Sequence, residues 1–366
     1  MKGAVAAGHP VTAQAGAQIL EAGGNAVDAC VAAGFVSWVV ESPLTGPGAG
    51  GFMLVHRASD HSDRLLDFFV ALPGLGLQGH EAAAMDEIEV PFDAQTTQLF
   101  RIGGASCAVP GSVAGLGEAH RLYGRLPWGE LVAPAAEVAR DGIELNPQQA
   151  FLHSILDVAL RAEEEGRRVY GEHGPLAGGD RLVQSDLADT LDLLARQGAA
   201  AFYRGPLARA ISEAVRERGG LVSETDLAEY RVIRRRPVRV QFHGHEFVSN
   251  PPPSSGGLLI AFALSVLDRL GTPGPPGSLA SVSALTEVMR EATRARAGGF
   301  LRSLYRGGLA DRRLQGAGRE CGRSVPDDRG LDRANGPQLV PAVGVEPDPL
   351  SGGLERARLF SLTAEC

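Results

Sequence analysis

The first candidate for a functional site is a glycine-rich run, Gly46-Pro47-Gly48-Ala49-Gly50-Gly51. This run fits the GxGxxG pattern of dinucleotide-binding turns. Such a turn needs a helix directly after it, because the helix N-terminus binds the pyrophosphate. Here the strand-like residues Phe52 to His56 follow instead, and no Gly-Lys-Ser or Gly-Lys-Thr forms a phosphate loop. The run therefore predicts a tight crossing between buried elements rather than a nucleotide site.

Histidines supply the next candidates. His243 and His245 have HxH metal spacing, but no third ligand is evident nearby, and a zinc site needs at least three protein ligands. We interpret the pair as the polar turn of a hairpin and predict no metal and no cofactor. His120 precedes Tyr123 on a predicted helix, where a surface or packing role is favoured over that of a base. Motifs of the GxSxG, HExxH and kinase types do not occur, so the residues alone indicate only an α/β domain.

Charge and composition exclude several classes of protein. The net charge of −8 argues against a nucleic-acid-binding protein, which usually has a basic face. The run Arg234-Arg235-Arg236 lies beside strand-like residues, and we interpret it as a solvated sheet edge. Hydrophobic residues make up 44% of the chain and charged residues 21%, which favours a sizeable core over global disorder.

Cysteine use and the N-terminal sequence predict the compartment. The cysteines form no CxxC pair and no zinc spacing, and we expect Cys30 and Cys107, which lie among Ala and Val, to be small buried hydrophobes. The N-terminal MKGAVAAGHP lacks a long apolar region, and no apolar run reaches the roughly 18 residues of a membrane span. We therefore expect a soluble, cytoplasmic protein that has no membrane partner.

Hydrophobic periodicity predicts the elements that must position these residues. Gly23-Gly24 is expected to end the first helix, and Asn25 to cap the second with the help of Asp28. Ser185 is predicted to be an N-cap, and Pro206 suits the first position of a helix. The predicted strands cover 52–56, 65–70, 238–242 and 246–249. The predicted helices cover 12–22, 26–34, 110–124, 126–139, 147–164, 185–196, 206–218, 258–270 and 281–297.

The order of these elements predicts the architecture. Buried helix and strand segments come first and many surface helices follow, which is typical of an α/β layered sandwich with a helical lobe. The apolar run 35–40 is left outside the second helix, and 250–257 is expected to be a rigid loop. From about residue 311 onward the residues show neither strand nor helix periodicity.

Four blocks of sequence resemble the γ-glutamyltransferases, which are also called glutathione hydrolases. The most specific piece is Gly-Gly-Asn-Ala-Val-Asp-Ala at 23–29, and the blocks follow the family order across more than four fifths of the chain. The blocks lie at 6–10, 22–29 and 39–43; at 45–53; at 109–116, 120–128 and 133–135; and at 202–205, 226–230 and 251–257.

This resemblance implies an α/β (α+β) fold that forms part of the four-layer αββα sandwich of N-terminal-nucleophile hydrolases, with the strands of the small subunit largely missing. Family members are made as one precursor that cuts itself before a Thr. The freed Thr is the nucleophile, and its own α-amine, with a pKa of about 8, is the base. Backbone N–H groups form the oxyanion hole. The γ-glutamyl group passes to the Thr and then to water or an amino acid.

The position that binds the substrate carboxylate departs from the family pattern. Members that use glutathione carry an Arg in a D-[FY]-R-E-x-A-P stretch, and this Arg holds the glutamyl α-carboxylate. The matching residues here are 67–73, with Phe69 at the Arg position. A Phe cannot form a charge-assisted pair with a carboxylate. Even an intact version of the protein is therefore expected to disfavour a γ-glutamyl group, unless another arginine such as Arg101 supplies the charge.

The catalytic segment departs further. The family pattern G-S-T-T-H-x-S-V-x-D-x-x-G corresponds here to 318–330, where Glu320 and Cys321 occupy the two Thr positions and Gly322 the His position. The later Ser-Asn, Ser-Ser-Met and Gly-Gly blocks of the family are absent. The nucleophile, the oxyanion hole and most substrate ligands are thus expected to be missing. Cys321 is a candidate nucleophile after cleavage between Glu320 and Cys321, because Cys has this role in other N-terminal-nucleophile hydrolases; the alternative is a plain loop thiol.

Together these features predict a large-subunit-like domain over 1–310 and an irregular tail over 311–366. A damaged or out-of-frame C-terminal region would explain the tail, and so would a naturally shortened relative. Complete relatives act on small-molecule γ-glutamyl or related amides, whereas this chain is expected to be inactive as written; the alternative is a non-catalytic partner or binding protein. Missing small-subunit strands would leave sheet edges and an apolar face uncovered, which predicts a second subunit or self-association.

Overall fold

The computed structural model of the chain describes residues 3–93, 95–271, 274–297, 300–304 and 361–365. Cys321 and the rest of 311–360 lie outside the described residues. Where it is described, the chain forms two compact units. The first contains the residues up to Ser62, then Leu66–Arg234 and 361–365, and the second contains Asp63–Leu65 and the residues that follow Arg234 up to 304.

Helices and short strands both occur throughout, which confirms the predicted mixed α/β class. The helices are α1 (Pro10–Glu21), α2 (Ala26–Val40), α3 (Ser112–Tyr123), α4 (Trp128–Asp141), α5 (Pro147–Leu160), α6 (Glu164–Tyr170), α7 (Ser185–Gln197), α8 (Ala200–Tyr203), α9 (Pro206–Glu217), α10 (Glu224–Glu229), α11 (Ser255–Leu270), α12 (Leu279–Ala295) and α13 (Phe300–Leu304). The strands are β1 (Gly51–Arg57), β2 (Ser62–Phe68), β3 (Asp86–Pro91), β4 (Thr97–Ile102), β5 (Ile143–Glu144), β6 (Arg181–Leu182), β7 (Ile233–Arg235), β8 (Val238–Phe242), β9 (His245–Ser249) and β10 (Ser361–Glu365). None of the described helices is long and apolar enough to span a membrane.

The largest described sheet has the strand order β10-β1-β2-β7. β10 runs parallel to β1, with Ser361 opposite Phe52. The remaining described strands form the two-stranded pairs β3–β4, β5–β6 and β8–β9. β7 lies at one edge of the large sheet, and Arg234 on it is exposed and pairs with Glu118 at 2.7 Å. This placement confirms the interpretation of the arginine run as a solvated edge.

Helix α2 forms the centre of the core of the first unit. It is apolar on all sides, and Val31, Phe35 and Val39 are completely buried. The sequence-based helix ended near Gly34, but α2 continues to Val40. Short apolar runs such as 35–40 fit a buried strand or a buried helix equally well by periodicity. In the structure this run is helical, and Phe35 makes edge-on ring contacts with both Trp38 and Trp128 at centroid distances of 4.5 and 5.3 Å.

The Gly-Gly-Asn-Ala-Val-Asp-Ala block forms the corner between α1 and α2. Gly23 has a φ of 93°, which suits the left-handed end of a helix. A Cβ on Gly24 would lie 2.7 Å from a methyl carbon of Ile19. The side chain of Asn25 accepts hydrogen bonds from the N–H groups of Val27 and Asp28 at 2.9 and 3.0 Å. The cap predicted at Asn25 is confirmed, and Asp28 completes a capping box with it.

Asp28 also ties this corner to the turn between α3 and α4. Its carboxylate is completely buried and accepts the N–H groups of Asn25 at 2.9 Å and of Arg125 at 2.9 and 3.1 Å. The amide of Asn25 donates to the carbonyl of Tyr123 at 2.6 Å. One short block therefore joins the first two helices to the next pair, and its role in this molecule is structural.

Several local expectations need correction. The cap of α7 is Gln184, which makes no side-chain capping bond, so Ser185 is not the N-cap. The predicted helix over 147–164 is two helices, α5 and α6. Cys107 is exposed and Cys30 half-buried, so neither is fully buried as predicted. Cys107 lies just after the short turn Gly104–Ser106 at the protein surface, and an apolar local composition does not reveal that exposure.

The second unit contains the β8–β9 hairpin and the helices α11 and α12. The predicted hairpin is confirmed: Phe242 pairs with His245 across a two-residue turn in which His243 and Gly244 have φ values of 48° and 79°. α11 and α12 pack together through buried residues such as Phe262 and Val288. Helix α12 also carries an exposed row that we call the α12 stripe: Leu279, Val282, Leu285 and Met289.

The buried carboxylate of Asp28 leads to a prediction about stability. Asp28→Ala leaves the N–H groups of Asn25 and Arg125 without an acceptor, so urea unfolding should show a loss of about 2–4 kcal/mol. Asp28→Asn keeps one acceptor oxygen and should lose less. Asp189→Ala, which removes an exposed carboxylate on α7, is the matched control and should change stability by about 0.5 kcal/mol or less. Equal losses for Asp28→Ala and Asp189→Ala would contradict the structural role.

Candidate functional site

The first unit contains a cavity of about 730 Å³ beside the glycine-rich run. Its walls are α2, the segment 44–52, the end of β2 through Val70, the segment 106–112, and the helices α7 and α9. Phe69, the residue at the family's Arg position, lines this cavity. The volume falls within the range of roughly 300–1,000 Å³ that is typical of small-molecule sites.

Glycines allow the walls of this cavity to approach one another closely. A Cβ on Gly50 would lie 2.6 Å from the backbone nitrogen of Val70, and a Cβ on Gly111 would lie 2.0 Å from the carbonyl oxygen of Phe68. A Cβ on Gly115 would overlap the ring of Phe68 at 2.0 Å. Side chains at these positions would separate the end of β2 from α3. Within the run Gly46 to Gly51, the tight crossing predicted from the sequence is therefore made at Gly50 and Gly51.

The hydrogen bonds of this crossing are made within the protein. The carbonyl of Ala49 accepts the N–H groups of Gly111 and Ser112 at 2.9 and 3.0 Å. The buried hydroxyl of Ser112 contacts the carbonyl oxygens of Pro47 at 2.9 Å and Gly46 at 3.1 Å. The turn thus presents carbonyl oxygens to the start of α3, an arrangement opposite to the N–H cradle that a phosphate requires.

The backbone of Phe69 is held from both sides. Its N–H donates to the carboxylate of Asp67 at 3.0 Å, and its carbonyl accepts the hydroxyl of Tyr230 at 2.7 Å. The ring of Phe69 stacks on Phe52 with a centroid distance of 5.8 Å and an interplanar angle of 22°. Phe69, which lines the cavity, is therefore positioned by neighbours on both its backbone and its ring.

Two stacked tyrosines support this segment. Tyr230 stacks on Tyr203 at 5.6 Å, and the hydroxyl of Tyr203 donates to the carbonyl of Pro110 at 3.0 Å and accepts the N–H of Ala114 at 3.1 Å. Burial raises the pKa of both tyrosines well above the ordinary value, so both hydroxyls stay protonated and remain donors at neutral pH.

A buried carboxylate holds the chain that follows Phe69. Asp226 is 2% exposed and accepts the N–H groups of Gly74 and Leu75, each at 2.9 Å. It also accepts the N–H and the hydroxyl of Ser223, each at 2.9 Å. The loop that leaves the cavity wall is thereby tied to the N-terminus of α10. Sequence reasoning placed Tyr230 and Asp226 in a family block but did not assign them a contact, because their partners lie 150 or more residues away.

Charged side chains are scarce at the cavity. Among the described residues that line it, Asp186 is the charged one, and it pairs with Arg168 at the surface. No described lining residue is an arginine or a lysine. Arg101, the alternative source of positive charge, lies on β4 and pairs with Glu87 at 3.1 Å instead of lining the cavity.

The other candidates from the sequence lie away from such chemistry. His120 is a packing residue, as predicted: its Nε2 contacts the carbonyl of Leu126 at 2.8 Å and its ring contacts Trp128. His243 and His245 lie on the hairpin of the second unit, and among the described residues no group of three potential ligands could hold a metal ion. Cys107 is exposed as a residue but lines the cavity, where partial desolvation of its thiol and the charge of Glu163 raise the pKa and disfavour the reactive thiolate.

Comparisons with known proteins place these features in context. A family model described as Gamma-glutamyltranspeptidase matches residues 12–300. The acylase ACY 1 proenzyme of Pseudomonas sp. (strain V22) is 35% identical over 300 residues, which are 81% of this chain and 53% of the acylase. The glutathione hydrolase proenzyme of Escherichia coli (strain K12) is 34% identical over 270 residues, which are 73% of this chain and 45% of that protein.

A solved structure gives the same result at the level of the fold. The crystal structure of Helicobacter pylori gamma-glutamyltranspeptidase superposes with a TM-score of 0.78 at 28% identity, covering 89% of this chain and 93% of the solved chain. The chain spans about half the length of the curated relatives it matches.

The hydroxyl of Tyr230 provides a test of how Phe69 is held. Tyr230→Phe removes the donor to the Phe69 carbonyl while keeping the ring stack, and the free energy of unfolding should fall by about 1–3 kcal/mol. Tyr123→Phe on α3 is the matched control and should change it by about 0.5 kcal/mol or less. Urea denaturation of both variants measures the difference. A loss for Tyr230→Phe no larger than that of the control would show that the bond does not hold this segment.

Proposed function

Because this chain belongs to the gamma-glutamyltranspeptidase family, we propose that it forms the acyl-donor side of an amide-hydrolysing or acyl-transferring site and is inactive as written. The family acts on small-molecule γ-glutamyl amides. In this proposal, residues 1–310 correspond to the family's large-subunit domain, and 311–366 do not contribute the catalytic segment. The family match over residues 12–300 supports the assignment of residues 1–310 to the large-subunit domain. The chemistry of the cavity supports the proposed inactivity.

The proposed inactivity rests on the kind of nucleophile that the cavity offers. The reaction needs a hydroxyl or thiol on the same residue as a free amine, because a Thr or Ser hydroxyl is a weak nucleophile unless a nearby base takes its proton. The hydroxyl and thiol residues that line the cavity are Ser37, Thr45, Ser106, Cys107, Ser112 and Thr190, and their own nitrogens lie in peptide bonds. The hydroxyls of Ser37 and Ser106 donate to the carbonyls of Gly34 and Gly103, each at 2.7 Å.

Phe69 carries the proposal about substrate. A γ-glutamyl group brings an α-carboxylate and an α-ammonium group, and burying either without a partner is costly. The Phe69 ring, stacked on Phe52, offers neither a charge nor a hydrogen-bond donor at the position where the family has Arg. We therefore expect a γ-glutamyl donor to be disfavoured at this site, including in a version of the protein that has a complete catalytic segment.

Hydrolysis of γ-glutamyl-p-nitroanilide tests both parts. The purified chain should release no p-nitroaniline above the rate of the buffer. In the E. coli glutathione hydrolase, replacement of the Arg that matches Phe69 by Phe should lower kcat/KM by at least about 100-fold, since charged hydrogen bonds contribute about 1.5–3 kcal/mol each. Turnover by this chain would contradict the proposed inactivity. Ordinary turnover by the relative with Phe at that position would contradict the substrate proposal alone.

Cys321 is the alternative nucleophile, and it lies outside the described residues. This alternative requires cleavage between Glu320 and Cys321 to free the Cys amine. Intact-mass spectrometry of the chain after long incubation should show a single uncut species, with Cys321→Ala as the matched control. Two fragments that meet at this bond in the original chain, and not in Cys321→Ala, would support Cys321 as the nucleophile.

A second candidate function is that of a non-catalytic partner built on the large-subunit scaffold. The α12 stripe favours it, because Leu279 and Met289 are 83% and 69% exposed on a helix that also packs against α11. Such rows usually mark contact surfaces. The genomic DNA just after the Leu309 codon distinguishes the two accounts: a Thr-Thr-His motif in another frame indicates a broken enzyme gene, and an unrelated open continuation indicates a genuine short protein.

The stripe also predicts the behaviour of the purified chain. We expect it to self-associate or to require a second subunit, as seen by size-exclusion chromatography with light scattering. Leu279→Lys/Met289→Lys should shift the protein toward monomer, whereas Phe151→Lys, at an exposed position on α5, should not. A monodisperse, cooperatively melting monomer of the unsubstituted chain would count against this expectation.

A further inference from the structure

The cavity beside Phe69 has a composition that selects for ligand type. Its surface combines aromatic and aliphatic side chains from β1, β2, α2, α7, α8 and α9. Phe69, Leu187 and Ile211 are part-exposed, whereas Trp38, Phe52 and Phe202 are buried core residues that also line the cavity. Water in such a cavity has few polar partners, so an apolar group that displaces it gains the hydrophobic free energy of burial.

The electrostatics of the cavity disfavour charged ligands. Its described lining has no arginine or lysine, and its carboxylate, Asp186, is largely exposed and paired with Arg168. The hydroxyl of Ser37 is already bonded to the carbonyl of Gly34. A zwitterionic amino-acid group would lose its hydration there and gain no counter-ion. A neutral group does not incur that loss.

The ring of Phe69 is held in place at the cavity wall. Its backbone is bonded on both sides, to Asp67 and to Tyr230, and its ring stacks on Phe52. Moving Phe69 away from the cavity wall would break both of these hydrogen bonds and the ring stack. The Phe52–Phe69 pair offers an aromatic wall, against which another aromatic ring can pack in an offset or edge-to-face geometry.

We infer that this cavity is a binding site for the acyl part of a neutral aromatic acyl amide. The inference rests on the acyl-donor role proposed above, and it names the substrate class: aromatic acyl amides in place of γ-glutamyl amides. Recognition comes from packing of the ring against the part-exposed residues Phe69, Leu187 and Ile211 and from the absence of a cation in the described lining. It requires no nucleophile, so the chain as it exists can be tested by binding alone.

Two primary amides make a matched pair of probes. 4-Fluorophenylacetamide carries an aromatic acyl group of the proposed class, and L-glutamine carries the γ-glutamyl group. Both groups are attached to the same –NH₂. Titration of the full chain with the first, followed by ¹⁹F NMR, should give a Kd on the order of 1 mM or tighter, as expected for a ligand of this size. L-Glutamine, followed by isothermal titration calorimetry, should bind at least tenfold more weakly.

Variants locate the binding in the cavity. Leu187→Trp fills the space beside α7 and should weaken 4-fluorophenylacetamide binding at least tenfold, as should Phe69→Arg. Phe69→Arg should also reduce the factor by which 4-fluorophenylacetamide binds more tightly than L-glutamine. Phe151→Ala removes an exposed phenylalanine of α5 and should leave both affinities unchanged. Thermal melts of each variant identify any that fail to fold, and in that case Ile211→Trp replaces Leu187→Trp as the cavity-filling test.

Three results would overturn the inference: no binding of 4-fluorophenylacetamide, binding that survives both Phe69→Arg and a folded cavity-filling variant, or L-glutamine binding at least as tightly. None of these results would bear on the proposed inactivity, which the p-nitroanilide assay measures. Conversely, catalysis by this chain would overturn the proposed inactivity. The binding data would still decide the ligand class.

Discussion

The close approach of the end of β2 to the glycine-rich crossing and to α3 is the constraint on which the candidate site depends. Gly50, Gly111 and Gly115 occupy positions where a Cβ would overlap Val70, Phe68 or Tyr230. With those side chains absent, the carbonyl of Phe68 and the hydroxyl of Tyr230 can lie against the start of α3. The bond from the hydroxyl of Tyr230 to the Phe69 carbonyl depends on this contact, whereas the bond from the Phe69 N–H to Asp67 is local.

The blocks that identify the family and the residues that decide its chemistry are different parts of this molecule. Asp28 and Asn25 are recognisable in sequence because a buried carboxylate and a capping amide must satisfy backbone groups at one corner. That requirement persists whether or not the protein catalyses a reaction. Phe69 and the residues at 320–322 depart from the family pattern without disturbing that corner. Family membership and activity are therefore separate questions for this chain.

Much of the fold could be predicted from sequence where the signal is local. The cap at Asn25, the start of α9 at Pro206 and the β8–β9 hairpin depend on neighbouring residues, and all are confirmed. The extent of α2 and the exposure of Cys107 depend on what packs against them, which local composition does not contain. The site divides in the same way. Phe69 could be found by alignment with a motif, whereas the support from Tyr230 and Asp226 comes from contacts across more than 150 residues.

We propose that the space beside Phe69 is an apolar acyl site, and that the close packing at Gly50, Gly111 and Gly115 fixes its wall. A crystal structure of the chain soaked with 4-iodophenylacetamide tests it most directly, because the anomalous signal of iodine locates the ring without bias. We expect one strong iodine peak inside the cavity, within contact of Phe69 and Leu187. Iodine bound only on the outer surface, or a cavity occupied by the chain's own side chains, would contradict it.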